Sequence, residues 1–424
     1  MKRVLTLIIL ILASTSLFSA SILGKDSFTL RDGLFYSEAE LDKFGFVQST
    51  PDEEENYFER CEIYLLTGGP GSIVWENFGH SSYIVRYPDG SEIAYDYGIF
   101  SFDENFFLNF ALGKLYYEAW PSWAYYRTES LIDDDRDVSL VKLDLSTDQK
   151  YTLIKFLEFN TRPENSVYLY DYYYDNCATR LRDSYNAATG GDFKAWAESI
   201  NTGETLRDYS ERYLSRSTFP VDYAITYLLG PIVDEEITLW DAMFLPEILE
   251  RGIMEYQNSD RDIIYKSVGR KDTPESYNFL MRSLRMSLIL AFVILLSHVE
   301  NKTIKVVFGV LSSIVYLILA LMTLALLFLM TSSIHFVTYW NINVLITAPS
   351  VVLLYLHIKY FFRKESARKS IKTFAKIALI ATLIVLVIKA ILSTILIQET
   401  LPYFILMILL YMAEIKGVKN RKAL

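Results

Sequence analysis

Apolar positions follow two different rhythms along this chain. Between about residues 60 and 144, short apolar runs of β-branched and aromatic residues are separated by glycine, proline and aspartate, as in strands joined by turns. This pattern predicts strands at 63–67, 82–87, 92–98 and 138–144, with turns at 68–72 and 88–91. Helical spacing takes over at 102–113 and again at 146–158, where a serine or threonine cap and an acidic first turn precede the apolar positions. Residues 178–185 read as a further helix, 168–175 as an extended aromatic run, and 190–280 as mainly helix and loop. The fold class expected for this half is α+β.

Beyond residue 284 the apolar runs become long and unbroken, near 286–299, 305–331, 342–362, 373–393 and 400–416. The last four approach the roughly 20 residues that a spanning helix requires. The first is shorter and is preceded by Arg282 and Arg285, so it reads either as a span with snorkelling arginines or as an interfacial helix. Counting it as a span gives an all-α bundle of about five transmembrane helices. The basic clusters at 302–305, 363–372 and 416–422 then all fall on one side, as the positive-inside rule requires, and the first half lies on the other. On that outer side the loop with His335, Trp340, Asn341 and Asn343 is a candidate for contact with lipid head groups, or else an aromatic belt. His298 and His357 lie near helix ends with no chemistry suggested by their neighbours. Lys389 sits inside the fourth run, close enough to its outer end to snorkel.

Charge divides at the same place. Residues 285–424 hold 15 Lys+Arg and 4 Asp+Glu, a net of +11; subtracting from the totals of 41 and 51 leaves 26 and 47 for residues 1–284, a net of −21. An acidic first half argues against nucleic acid as a partner. Lys2 and Arg3 followed by an apolar run over 4–12 and small residues at Ser19 and Ala20 have the design of a signal peptide, residues 1–20. Phe18 is bulky for a cleavage site, so an uncleaved anchor is the alternative; either predicts that the rest of the first half is exported. No cysteine stands at the cut.

The candidate chemistry comes from a scarcity. The exported half has one histidine, His80, and two cysteines, Cys61 and Cys177. In an oxidising compartment the two cysteines could form one disulfide. Cys61, however, opens an apolar strand, where an inert thiol is common. Cys177 follows Asn176, a good N-cap, and so falls in the first turn of a helix, where free amides and the helix dipole favour a thiolate and could stabilise an oxyanion. Arg180 and Arg182 add positive charge, unless they pair with Asp183 or another acid. Asn176 and Arg180 are the candidates for oxyanion stabilisation or orientation. With a single histidine and no cysteine cluster, zinc lacks its preferred ligands, and the acidic run at 133–137 lacks calcium spacing. No metal or cofactor is expected.

A helix-start cysteine with a strand histidine is the papain-like arrangement, in circularly permuted order because the histidine comes first. A third group should orient the imidazole. Pairing Tyr87 with Glu92 across the hairpin sets Tyr95 and Tyr97 on the face of His80 and turns Asp96 away, unless a bulge at Gly98 changes the parity. Asp96, Tyr95 and Tyr97 all stay open.

Several spaced motifs in one order carry a family resemblance: 65–71 (LLTGGPG), 78–81 (FGHS), 95–102 (YDYGIFSF), the 106–113 segment leading into KLY, and 175–183 (DNCATRLRD). Residues 60–185 resemble the Lnb-type N-terminal periplasmic domain of bacteria, and the helices after it are similar to those of full-length members. The resemblance implies a permuted papain-like (NlpC/P60-like) catalytic domain at 60–190. It would follow a signal peptide and an extension at 21–59, and precede a helical extension at 191–283 and a transmembrane domain at 284–424 in the inner membrane. It further implies lipoprotein N-acylation: an acyl chain passes from a membrane phospholipid, through a thioester on Cys177 with His80 as base, to the α-amino group of a lipoprotein's diacylglyceryl-cysteine. Asp96 is the family-aligned third residue, although the family often has asparagine there. A membrane-tethered envelope thiol hydrolase and a non-catalytic envelope module are the competing readings.

Overall fold

The computed structural model describes residues 57–217, 220–270, 273–274, 276–361 and 366–417. The proposed signal peptide and most of the extension before residue 60 lie outside the described residues. The chain divides into two compact units. One comprises Met1–Tyr209 and Glu236–Thr273; the other comprises Ser210–Glu235 and Pro274–Leu424.

The first unit is α+β, built on a seven-stranded antiparallel sheet. In chain order its strands are β1 (Glu62–Gly68), β2 (His80–Arg86), β3 (Glu92–Ile99), β4 (Tyr116–Trp123), β5 (Val138–Lys142), β6 (Val167–Leu169) and, after a separate two-stranded pair β7 (Asn201–Thr205) and β8 (Glu236–Thr238), β9 (Asp262–Tyr265). The spatial order is β6-β4-β3-β2-β1-β5-β9. Helices α1 (Phe106–Leu112), α2 (Ala124–Asp133), α3 (Thr147–Asn160), α4 (Cys177–Ala188) and α5 (Pro246–Gln257) flank it. Alternation along the strands gives each face its own core. Leu66, Ile84 and Ala94 pack with Ala124 and Leu131 of α2. Tyr83 points the other way and donates from its hydroxyl to the Leu181 carbonyl of α4 at 2.7 Å.

Local chemistry sets the helix starts. Ser146 caps α3 in a reciprocal box with Gln149, each side chain satisfying the other's backbone amide. The aromatic run before α4 is not extended beyond β6: Asp171 and Asp175 exchange backbone hydrogen bonds at 3.0 and 3.1 Å and close a tight loop. Strand β4 contains Pro121, which hides it from sequence patterns. Its partner β6 covers only Tyr116–Glu118, so beyond that point β4 is an edge strand, where proline is tolerated.

The second unit is helical: α6 (Phe279–Ser297), α7 (Lys302–Ser332), α8 (Asn343–Thr347), α9 (Pro349–Leu356), α10 (Ser366–Ile391) and α11 (Leu401–Gly417). Among the described residues three helices, within α6, α7 and α10, are long and apolar enough to cross a membrane. Most of their surface carries exposed apolar side chains such as Phe292, Leu321 and Ile384, as expected where lipid is the solvent. The unit is therefore membrane-embedded. The segment expected to be a short or interfacial first span is a 19-residue helix, because α6 begins at Phe279 and takes in Arg282, which pairs with Asp222 at 3.3 Å. The third apolar run, by contrast, is broken. Pro349 starts a new helix after α8, and a π-helical turn follows at His357–Phe361.

Polar groups inside this unit are collected into networks. Glu414 of α11, with no exposed surface, accepts from His298 Nε2 at 2.7 Å, His357 Nε2 at 2.9 Å and the Tyr316 hydroxyl at 3.0 Å. The two histidines that suggested no chemistry in the sequence thus meet one carboxylate.

Candidate active site

Cys177 is the first residue of α4, and Asn176 holds it there. The Asn176 side-chain oxygen accepts from the amides of Ala178 and Thr179 at 2.8 and 2.9 Å. Its Nδ2 donates to the Tyr172 and Phe244 carbonyls at 2.7 and 2.9 Å. Both amide hydrogens are therefore occupied, so Asn176 positions the helix start and has no donor left for an oxyanion. Arg180 is also committed. Its guanidinium forks onto Asp175, Nη2 to Oδ2 at 2.9 Å, and stacks on the Tyr168 ring at 3.9 Å. Burial lifts the Asp175 carboxyl to about 6, against the pull of Arg180. Arg182 binds Asp183 and the Trp240 carbonyl, each at 2.8 Å. These arginines brace α4 instead of facing the thiol.

His80 opens β2, and its imidazole is near enough to the Cys177 thiol for each to shift the other's ionisation. Its Nε2 lies 2.8 Å from Asp96 Oδ1, which leaves Nδ1 for the sulfur. Asp96 is fully buried. It also accepts from the Ser82 hydroxyl and, on Oδ2, from Arg127 Nε of α2 at 2.9 Å. A hairpin closed between Tyr87 and Glu92 would turn Asp96 away. In the structure Arg86 pairs with Glu92 and Ser82 with Asp96, a register one residue different. The cause is the turn. Pro88, Asp89 and Gly90 form a three-residue loop with Gly90 left-handed at φ +87, closed by Tyr87 N–H to Ser91 O at 2.8 Å. One residue of slip exchanges the two faces of β3, so Asp96 joins Ser82 and His80. Tyr95 instead meets the Tyr87 hydroxyl at 2.7 Å, and Tyr97 is buried near Arg180. Ser82, two residues beyond His80 on the same strand face, was readable from the sequence by parity; Arg127, from a distant helix, was not.

The electrostatics follow from this chain of contacts. Burial opposes charge on every member, yet the carboxyl of Asp96 is held below its ordinary range by His80, Arg127 and Ser82. The imidazole of His80 is raised, against burial, by the adjacent sulfur and by Asp96. The Cys177 thiol is lowered, again against burial, by His80 and by the backbone amides of Ser81 and Ala178, which face the sulfur. These shifts favour a thiolate beside an imidazolium. The other cysteine has the opposite setting: Cys61 is fully buried, its thiol is pushed up by burial, and both cysteines are free thiols.

The remaining candidates belong to the helical unit. Asn341 is buried, with Nδ2 donating to the Tyr227 and Leu229 carbonyls at 3.0 Å and Oδ1 accepting from Gln398 at 2.7 Å. It ties three segments together and has no free donor for a head group. Trp340 is exposed, in a left-handed conformation at φ +57, and His335 is partly buried. Lys389 donates to the Leu396 carbonyl at 3.1 Å. The acidic run closes on backbone: Asp135 accepts from the amides of Val268 and Gly269 at 2.9 Å.

The fold thus brings a thiol at a helix start, an imidazole and a buried carboxylate together, the last two hydrogen-bonded. Residues 50–212 match the family model of the Lnb N-terminal periplasmic domain, and helices long and apolar enough to cross a membrane follow in the chain. No curated protein and no solved structure matches the chain.

Proposed function

We propose that the protein is a lipoprotein N-acyltransferase acting through a thioester on Cys177, with its catalytic domain on the periplasmic face of the inner membrane. The observation that carries the reading is the Cys177–His80–Asp96 chain of contacts in an Lnb-type domain attached to membrane helices. The Cys177 thiolate attacks the carbonyl carbon of a phospholipid ester. The Ser81 amide, which faces the sulfur, would donate to the resulting oxyanion, whereas the Ala178 amide is already held by the Asn176 side chain. As the C–O bond breaks, His80 gives its proton to the departing lysophospholipid alcohol, leaving the acyl group on sulfur. The α-amino group of the diacylglyceryl-cysteine then attacks the thioester, His80 takes a proton from nitrogen, and collapse forms the amide and returns the thiolate. Asp96 keeps the imidazole aimed through Nε2 and stabilises its cationic form. This route needs neither a metal nor a cofactor. If the apolar segments 342–361 and 401–417 also cross, five spans leave the basic loops on the cytoplasmic side and the domain outside.

The test is expression in cells whose own lipoprotein N-acyltransferase is depleted, with lipoprotein N-termini read by mass spectrometry. Triacylated N-termini that disappear with Cys177→Ala and His80→Ala are expected. N-termini that stay diacylated with the unaltered chain would overturn the reading and favour a hydrolase.

A further inference from the structure

The first unit exposes an aromatic surface that the reaction chemistry does not explain. Helix α1 has the sequence FFLNFAL, without a charged residue. Phe106 turns inward, 4.5 Å from the Phe102 ring and 5.6 Å from that of Phe100. Phe107, Leu108 and Phe110 turn outward; Phe107 is 78% exposed, and Phe102 beside them is 63% exposed. Trp75 extends the surface, 6.4 Å from Phe102. A contiguous apolar patch of this kind on a folded domain marks a surface that meets something other than water.

Two observations indicate what it meets. The domain is joined in one chain to helices long and apolar enough to cross a bilayer, so the chain itself tethers it to a lipid surface. The patch is also continuous with the reactive sulfur. From Phe100 the rings continue to Tyr117 at 4.9 Å and from Tyr117 to Tyr170 at 4.7 Å, and Tyr170 is close enough to Cys177 to feel its charge. An aromatic path from an exposed phenylalanine helix to a nucleophile suits a ligand whose long apolar end stays in lipid while a polar group reaches the thiol. Phenylalanine, tryptophan and leucine are the residues by which monotopic segments enter the head-group boundary. Asp103 and Glu104 flank the patch, so attraction to anionic lipid is not what holds it.

We infer that Trp75, Phe102, Phe107, Leu108 and Phe110 form a bilayer-docking surface that seats the periplasmic domain on the outer leaflet, with the Phe100–Tyr117–Tyr170 rings leading inward to Cys177. This extends the proposed function but does not depend on it, because docking is independent of the acceptor used at Cys177. The experiment places a benzophenone amino acid at Phe107 or at Phe110 of the full chain in phosphatidylcholine nanodiscs, with the same probe at Val268 for comparison. Val268 is 90% exposed and follows β9, at the opposite edge of the sheet from β4. After illumination, phospholipid adducts at Phe107 and Phe110 should exceed those at Val268 several-fold. Equal lipid labelling at all three positions, or crosslinks from Phe107 and Phe110 to protein in place of lipid, would overturn the inference. Because these side chains are exposed, the probes leave the core intact, and persistence of Cys177 alkylation reports that the site is folded.

Discussion

Replacing Asp96 by alanine removes the acceptor on which three donors converge. Two belong to groups that carry charge, His80 at 2.8 Å and Arg127 at 2.9 Å; the third is the Ser82 hydroxyl. Hydrogen bonds to charged groups contribute about 1.5–3 kcal/mol each and a neutral one about 1 kcal/mol. A simple sum therefore gives about 4–7 kcal/mol. That sum is too large for this site, because Arg127 is 21% exposed and His80 18% exposed, so both regain water. A loss of about 3 kcal/mol is the expected result, read as a lowered unfolding temperature of the full chain in detergent. The effect on chemistry should be separate and larger, because an imidazole without its partner loses both aim and stabilisation of its cation. Formation of the acyl-enzyme should slow by about 10²–10⁴-fold, the usual contribution of a positioned acid–base group. Asp96→Asn distinguishes the two effects. Its oxygen can keep His80 and Ser82 while its amide meets Arg127, so stability falls but most of the rate survives. Asp96→Ala acylating Cys177 within about threefold of the unaltered rate would refute the triad reasoning.

Three further outcomes rest on the same contacts. Because the Cys177 thiol is lowered and the His80 imidazole raised, the reactive ion pair spans the pH interval between them. Alkylation of Cys177 by iodoacetamide should persist below the ordinary thiol range of about 8.5, while His80→Ala should move it upward, since only the backbone amides then oppose burial; Cys61 should stay unlabelled in both. Glu414→Ala leaves three buried donors without their shared acceptor and should cost about 3–5 kcal/mol, seen as a lowered unfolding temperature, with periplasmic thiol reactivity at Cys177 unchanged. Asn176→Ala removes the cap of α4 and its ties to the Tyr172 and Phe244 carbonyls, so a loss at or above the upper end of the roughly 0.5–2 kcal/mol cap range is expected, with slower thiol alkylation.

What could be read in the sequence was whatever depends on few residues close together. Cys177 announced itself through the Asn176 cap, and His80 by being the sole histidine of its half. The side taken by Asp96 could not be read securely, because it depends on whether three or four residues form the hairpin loop; Gly90 adopting a left-handed conformation decides it. Strand β4 escaped because Pro121 is allowed only where β6 has ended. Arg127 and Glu414 act through partners 31 and as many as 116 residues away, which no local pattern encodes. Hydropathy gave the membrane half its extent but not its breaks: the apolar run at 342–362 is interrupted at Pro349 and again at His357.

The central claim is a thioester on Cys177, and intact-protein mass spectrometry of the full chain incubated with phospholipid vesicles tests it most directly. The account predicts an added fatty-acyl mass that maps to Cys177, is released by neutral hydroxylamine and is absent in Cys177→Ala. A chain that consumes phospholipid without such an adduct, or one whose adduct survives Cys177→Ala, would contradict it.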